Sequence, residues 1–167
     1  TTRQLVSVSE SINTRGWAID TRDPGEFRFY IRGSVGEVDI ITSLSPMARV
    51  NEGYHLVVTY NGNGAASGFS LYVNGIKHTP TVTTDTWTAT PLYDSELHQA
   101  RIGIKNDTNN VPFDGTVDHV AIYNTALSDA QVKENYFKGK LGDVDHEAFI
   151  RSDPYYMWRF EKITKWY

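Results

Sequence analysis

The seven residues Glu26–Arg32, "EFRFYIR", alternate without a fault, with Phe27, Phe29 and Ile31 on one side and Arg28, Tyr30 and Arg32 on the other. A helix would scatter these side chains around its axis, whereas a strand sorts them onto two faces. The segment is therefore read as a strand with one apolar and one polar face. Further strand candidates are "QLVSVS" (4–9), "GWAID" (16–20), "EVDIITS" (37–43), "YHLVVTY" (54–60), "GFSLYVNG" (68–75), "ARIGIK" (100–105) and "FDGTVDHVAIY" (113–123). The Gly/Asn-rich "NGNGAAS" joins two of them as a long hairpin. Asn74-Gly75 marks a tight turn, whose two central residues need positive φ. Short strands punctuated this often describe an all-β sandwich, and 167 residues are enough to give one a core.

One helix is expected. Ser128 is placed as its N-cap and Gln131 as the N3 partner of a capping box, with Leu127 and Val132 forming a hydrophobic staple. It should run to about Phe137, with Gly139 as the stop signal. The domain proper is read as 1–138. Residues 139–167 are a polar, turn-rich linker and an aromatic extension, in which Tyr155, Tyr156, Trp158, Phe160, Trp166 and Tyr167 are docking candidates. Such a tail buries its aromatic surface against something, either this chain or a neighbouring one.

Composition removes several classes of function. A formal net charge of −4, spread without long runs, supplies no basic stripe for nucleic acid. No apolar run approaches the length of a membrane span, so membrane insertion is not expected. With no cysteine there is no thiol nucleophile and no cysteine-based metal site. The chain opens on Thr1-Thr2-Arg3 rather than on Met, as an excised or processed piece would.

The order "YHLVVTYNGNGAASGFSLYVNGI", "ARIGI", "FDGTVDHVAIYNTALSDAQV" resembles the laminin-G-like domains of the concanavalin A-like lectin/glucanase superfamily. The resemblance covers about residues 4–137 and implies a two-sheet antiparallel jelly roll with one short C-terminal helix. Tyr54 stands where such domains often carry Trp, and His119 where they often carry Asp. The opening strands usual in such domains have no counterpart before Gln4. Yet "YYMWRFEK" near the end resembles the "AYWRFEE" opening of many of them. The tail therefore either begins a further copy or supplies a strand to this chain or another.

Three kinds of site are open. Superfamily glucanases carry E-x-D-x-x-E on one strand. Here Glu37 and Asp39 share a strand face but Thr42 holds the third position, so the carboxylate pair that glycoside hydrolysis needs is incomplete and no enzyme is expected. Many laminin-G-like domains bind calcium, which implies Asp107, Asp114 and Asp118 as oxygen ligands; turn chemistry explains the same residues. Lectin sites set an aromatic ring against the sugar's C–H face, with amides and carboxylates for its hydroxyls. Trp87 fits that role, with Asp85, Tyr93, Asn106, Asn109 and Asn110 as polar partners; Trp87 as a core cap under its loop fits equally. Tyr30, Tyr60 and Tyr72 are read as sheet surface or cross-strand packing, and Trp17 as core.

The expected function is a non-catalytic binding or adhesion module for a cell-surface or polymeric glycan or glycoprotein, located outside the cell, on its surface or on a virion. The alternative is a structural or decoration subunit of a phage particle, surface layer or filament. In that case the tail and open sheet edges dock other protein chains.

Overall fold

The computed structural model describes residues 2–9, 15–42, 48–88, 99–104, 112–140 and 156–158. Its strands are β1 Thr2–Ser9, β2 Gly16–Arg22, β3 Glu26–Arg32, β4 Glu37–Thr42, β5 Leu56–Tyr60, β6 Phe69–Val73, β7 Ile76–His78, β8 Pro80–Asp85, β9 Gln99–Ile102, β10 Val120–Ile122 and β11 Tyr156–Trp158. A 3-10 turn at Ala66–Gly68 precedes β6, and one helix, α1, spans Asp129–Lys140. A six-stranded sheet runs β8-β4-β3-β2-β1-β9, a three-stranded sheet runs β5-β6-β7, and β10 pairs with β11 alone. All the pairings are antiparallel. Two sheets with one short helix give the jelly-roll sandwich that the sequence implied.

The inner face of the six-stranded sheet follows from alternation. Register sets Trp17 opposite Ile31 and Ile19 opposite Phe29, then Ile31 opposite Val38 and Phe29 opposite Ile40. These residues pack against Phe69, Ala66 and Trp87, with Val58 and Tyr60 at the margin. Tyr60 stacks on Phe69 at 4.3 Å between ring centroids. The hairpin has the expected form, with Leu56 opposite Val73 and Tyr60 opposite Phe69. The Asn74-Gly75 turn has φ of 53° and 74°.

The outer face of the three-stranded sheet is also apolar, because α1 covers it. Tyr72, Leu127 and Val132 form a second cluster, with Val57 and Tyr123 at its edge. The helix starts as its sequence directs. The Ser128 N–H donates to Gln131 Oε1 at 2.9 Å, and the Gln131 N–H donates to Ser128 Oγ at 3.4 Å. Leu127 and Val132 are both buried, forming the staple.

Some readings are corrected. The helix continues through Gly139 to Lys140; Gly139 keeps an ordinary φ, so no left-handed cap ends the helix there. Of the strand expected over 113–123, only Val120–Ile122 is regular. His119 adopts φ 49°, which breaks the extended run, and its N–H donates to Asp118 Oδ1 at 2.9 Å. The strands β7 and β8 lie in a stretch for which no strand was expected. Pro80 and the threonines carry no apolar alternation, and both strands are at sheet edges.

Candidate functional site

The six-stranded sheet has an outer face, and no helix covers it among the described residues. The register fixes its occupants. Asp20 stands opposite Arg28, Ala18 opposite Tyr30, and Arg22 opposite Glu26. Across the next ladder Tyr30 faces Asp39 and Arg32 faces Glu37. On the other side Gln4 lies opposite Asp20 and Ser7 opposite Ala18, and Arg101 lies beside Ser7. An outer face of this kind usually meets water. Here Asp20 is 0% exposed and Gln4 and Ser7 are each 2% exposed.

One hydrogen bond explains much of this. Gln4 Nε2 donates to the Tyr30 hydroxyl at 2.8 Å. The two residues sit on β1 and β3, with β2 between them, a separation of about 9.5 Å. Side chains upright on their strands could not meet over that distance, so Gln4 and Tyr30 lean toward each other across β2, above Ala18. Ala18 is small enough to accept a ring above it and is fully buried. The guanidinium carbons of Arg28 and Arg32 stand 4.9 and 5.1 Å from the ring centroid, which holds the ring by cation–π attraction. Tyr30 remains partly exposed. Burial, with the Asp20 charge behind it, pushes the phenol above its ordinary pKa, so it keeps its proton.

The arginines are themselves fixed. Arg28 Nε donates to Asp20 Oδ1 at 2.9 Å, and its Nη1 donates to Asp39 Oδ2 at 3.3 Å. Arg32 Nε bonds Glu37. Burial pushes the Asp20 carboxyl above its ordinary range, and the Arg28 bond pulls it back. The result is a polar sheet face on which an aromatic ring is held by two ion-paired arginines. A face that mixes an aromatic ring with amide and carboxylate groups has the chemistry that sugar sites use.

The rim residues sort differently. Trp87 is 8% exposed and belongs to the main core cluster, 5.6 Å from the Tyr60 ring. Of its two readings the structure gives the core cap, so its face is not open to a sugar. Thr86 N–H donates to Glu37 O at 2.9 Å and tucks the segment under Gly36, where a Cβ would meet the Thr86 carbonyl. Asp85 Oδ1 accepts the Ala66 N–H at 3.1 Å, which anchors the 3-10 turn. Asp114 is exposed, and Asp118 accepts from His119. Among the described residues no three His, Asp or Glu side chains come together to hold a metal. Tyr93, Asn106, Asp107, Asn109 and Asn110 lie outside the described residues, as do Tyr155, Phe160, Trp166 and Tyr167. For Tyr156 and Trp158 only the backbone is described. Tyr156 stands opposite Ile122 and Trp158 opposite Val120, so this part of the tail pairs with its own chain.

The signal for the Tyr30 platform was present in "EFRFYIR", which already put Arg28, Tyr30 and Arg32 together. Its partner Gln4 is 26 residues away, and nothing local announces it. No helix among the described residues is long and apolar enough to cross a membrane. Among curated proteins, none matches the chain. The sandwich, the hairpin and the strand-to-helix ending agree with a family model matched over residues 1–133, and the chain belongs to that laminin G-like family (Laminin_G_3) of the concanavalin A-like lectin/glucanases superfamily.

Proposed function

We propose that the protein is a non-catalytic saccharide-binding or adhesion module, working outside the cell or on a particle surface, and that it binds on the outer face of the six-stranded sheet. What supports this is the Tyr30–Gln4 bond across β2, which holds a partly exposed aromatic ring on a polar sheet face. The family makes a carbohydrate-binding or adhesion role reasonable at the level of the superfamily. Hydrolysis finds less support. Glu37 is paired with Arg32 and Asp39 with Arg28, and a carboxylate neutralised by a guanidinium is poorly placed to deliver a proton.

A glycan array probed with the whole chain and with Tyr30→Ala and Tyr30→Phe tests this reading. Loss of the ring should reduce binding by roughly tenfold or more, and Phe, which keeps the ring but loses the bond to Gln4, should fall between. An array pattern that Tyr30→Ala leaves unchanged would sink the platform. Calcium belongs to the rim version of the same reading. Asp107, Asp114 and Asp118 would supply hard oxygen ligands and the ion would fix their loops; a thermal midpoint that shifts with chelator tests it.

A second reading is favoured by one feature. Among the described residues β11 is held to β10 by three register pairs, and the same ladder could form between copies or with another protein of an assembly. Light scattering at several concentrations, with and without residues 149–167, separates the two readings. An oligomer that disappears with the tail supports a structural subunit, and a monomer in both cases supports a self-sufficient binding module.

A further inference from the structure

We propose that Asn61 is a self-modifying position: it cyclises onto the Gly62 nitrogen, loses ammonia and is turned by water into aspartate and isoaspartate, ahead of the other Asn-Gly pairs of the chain. The reaction needs water and no ligand, so it is independent of what the sheet face binds.

Asn-Gly occurs three times, at 61–62, 63–64 and 74–75. A glycine after asparagine leaves the backbone nitrogen unshielded by a side chain, which favours ring closure. In that step base removes the Gly62 N–H proton, the nitrogen bonds to Asn61 Cγ, and the Cγ–Nδ2 bond breaks to release ammonia. Water then opens the imide ring. Attack at Cγ gives aspartate, and attack at the main-chain carbonyl gives isoaspartate. Nothing is oxidised or reduced.

Geometry separates the three pairs. Asn61 Oδ1 accepts the Asn63 N–H at 3.1 Å, and Asn63 Oδ1 accepts the Ala65 N–H at 3.1 Å. A side chain that bonds two residues on is folded forward over the intervening peptide, which turns Cγ toward the next nitrogen. Asn74 is turned elsewhere. Its Oδ1 accepts the His55 N–H at 2.9 Å across the hairpin, and Gly75 backs onto Tyr136. Of the remaining two, Asn63 is restrained. The Gly64 N–H donates to the Tyr60 hydroxyl, and Asn63 Nδ2 donates to Ser67 Oγ at 3.0 Å. A bonded amide yields its proton to base only when the bond opens, and here the leaving nitrogen is held as well. The Gly62 N–H has no hydrogen-bond partner among the described residues. Gly62 is exposed, and no atom beyond its chain neighbours lies within 4 Å of where a Cβ would stand.

The product acts on the hairpin. The Asn61 N–H donates to Gly68 O at 3.0 Å and closes the loop between β5 and β6. Asn61 Oδ1 also lies against Gly68, where a Cβ would meet it at 2.5 Å. Isoaspartate adds a carbon to the backbone at this closure, and either product makes the chain one charge more negative than −4.

The test incubates the whole chain in mildly alkaline buffer, folded and in urea, and follows it by mass spectrometry. Cleavage after Arg49 and Lys77 releases one peptide that holds all three pairs. In the folded chain Asn61 is expected to convert first, with Asn74 slower by about tenfold or more because its turn must open. In urea the three rates should converge. Tyr60→Phe keeps the ring on Phe69 but frees the Gly64 N–H, and should bring Asn63 toward the rate of Asn61. A thermal melt checks that this variant folds; should it not, the comparison of the unaltered chain folded and in urea decides. Conversion led by Asn63 or Asn74 would overturn the proposal. So would the same ratio of rates with and without urea, or an Asn63 rate that folded Tyr60→Phe leaves unmoved.

Discussion

The sandwich has two outer faces, and they are built in opposite ways. On the three-stranded sheet, Tyr72 and Val57 are covered by Leu127, Val132 and Tyr123. On the six-stranded sheet, Asp20, Arg28, Asp39, Arg32 and Glu37 form a lattice of ion pairs around Tyr30. The first face is closed by a helix and contributes apolar burial. The second carries no helix among the described residues and buries charged groups, which is costly unless every partner is in place. Polar networks of this kind hold side chains in one arrangement more than they add stability. The difference teaches that apolar burial and a polar ion-pair network are assigned to opposite sides of one small domain.

Cutting the polar face should have the largest effect. Arg28→Ala leaves the fully buried Asp20 without its partner and should cost about 3–5 kcal/mol in urea unfolding. A loss under about 1 kcal/mol would mean that Asp20 takes a proton and no longer needs the pair. On the apolar face, Val132→Ala should cost about 2 kcal/mol, with saccharide binding unchanged in the variant that remains folded. If binding fell with it, the two faces would be coupled and the contrast between them would weaken.

Acid should loosen the helix side. Burial holds the His55 imidazole below its ordinary 6.5, its Nδ1 has no partner among the described residues, and its ring lies 5.9 Å from that of Tyr136 on α1. The folded state therefore binds fewer protons than the unfolded state below pH 6.5. Stability that is complete above that pH should fall as the pH drops through 6.5 toward the lowered folded value. His55→Phe should flatten that slope in melts recorded across the window, and an unchanged slope would place the acid sensitivity elsewhere. The smallest effect belongs to Ser7→Ala. Removing a buried hydroxyl without a partner should leave the midpoint unchanged or raise it by up to about 1 kcal/mol of stability. A clear loss would show that Ser7 Oγ is bonded after all.

The sequence foretold the closed face better than the open one. Ser128, Gln131, Leu127 and Val132 lie within five residues of one another and their spacing alone specifies a capped, stapled helix start. The long hairpin was equally local, since its turn chemistry and both its strands are contiguous. The Tyr30 platform required knowing that β1 and β3 flank β2, which is a matter of topology. Alternation put Tyr30 on the polar side of its strand, but only the register with Ala18 and the bond to Gln4 carry it across β2. Trp87 misled for the complementary reason. Its loop-like surroundings, "TTDTWTATPLYD", hid an edge strand whose pairing with β4 carries the indole into the core.

Arg28 also has a mechanical consequence. Its bonds to Asp20 and Asp39 join β2, β3 and β4 through side chains, in addition to the backbone ladders. A tug along these strands would load those bonds in shear, in parallel with the peptide hydrogen bonds, and sliding would require all of them to fail together. The β10–β11 ladder has three register pairs and no such cross-stitch among the described residues. Under tension β11 is expected to unzip from β10 while the middle of the large sheet keeps its shape, so a pull from the C-terminal side would pay out slack before it loaded the sandwich itself.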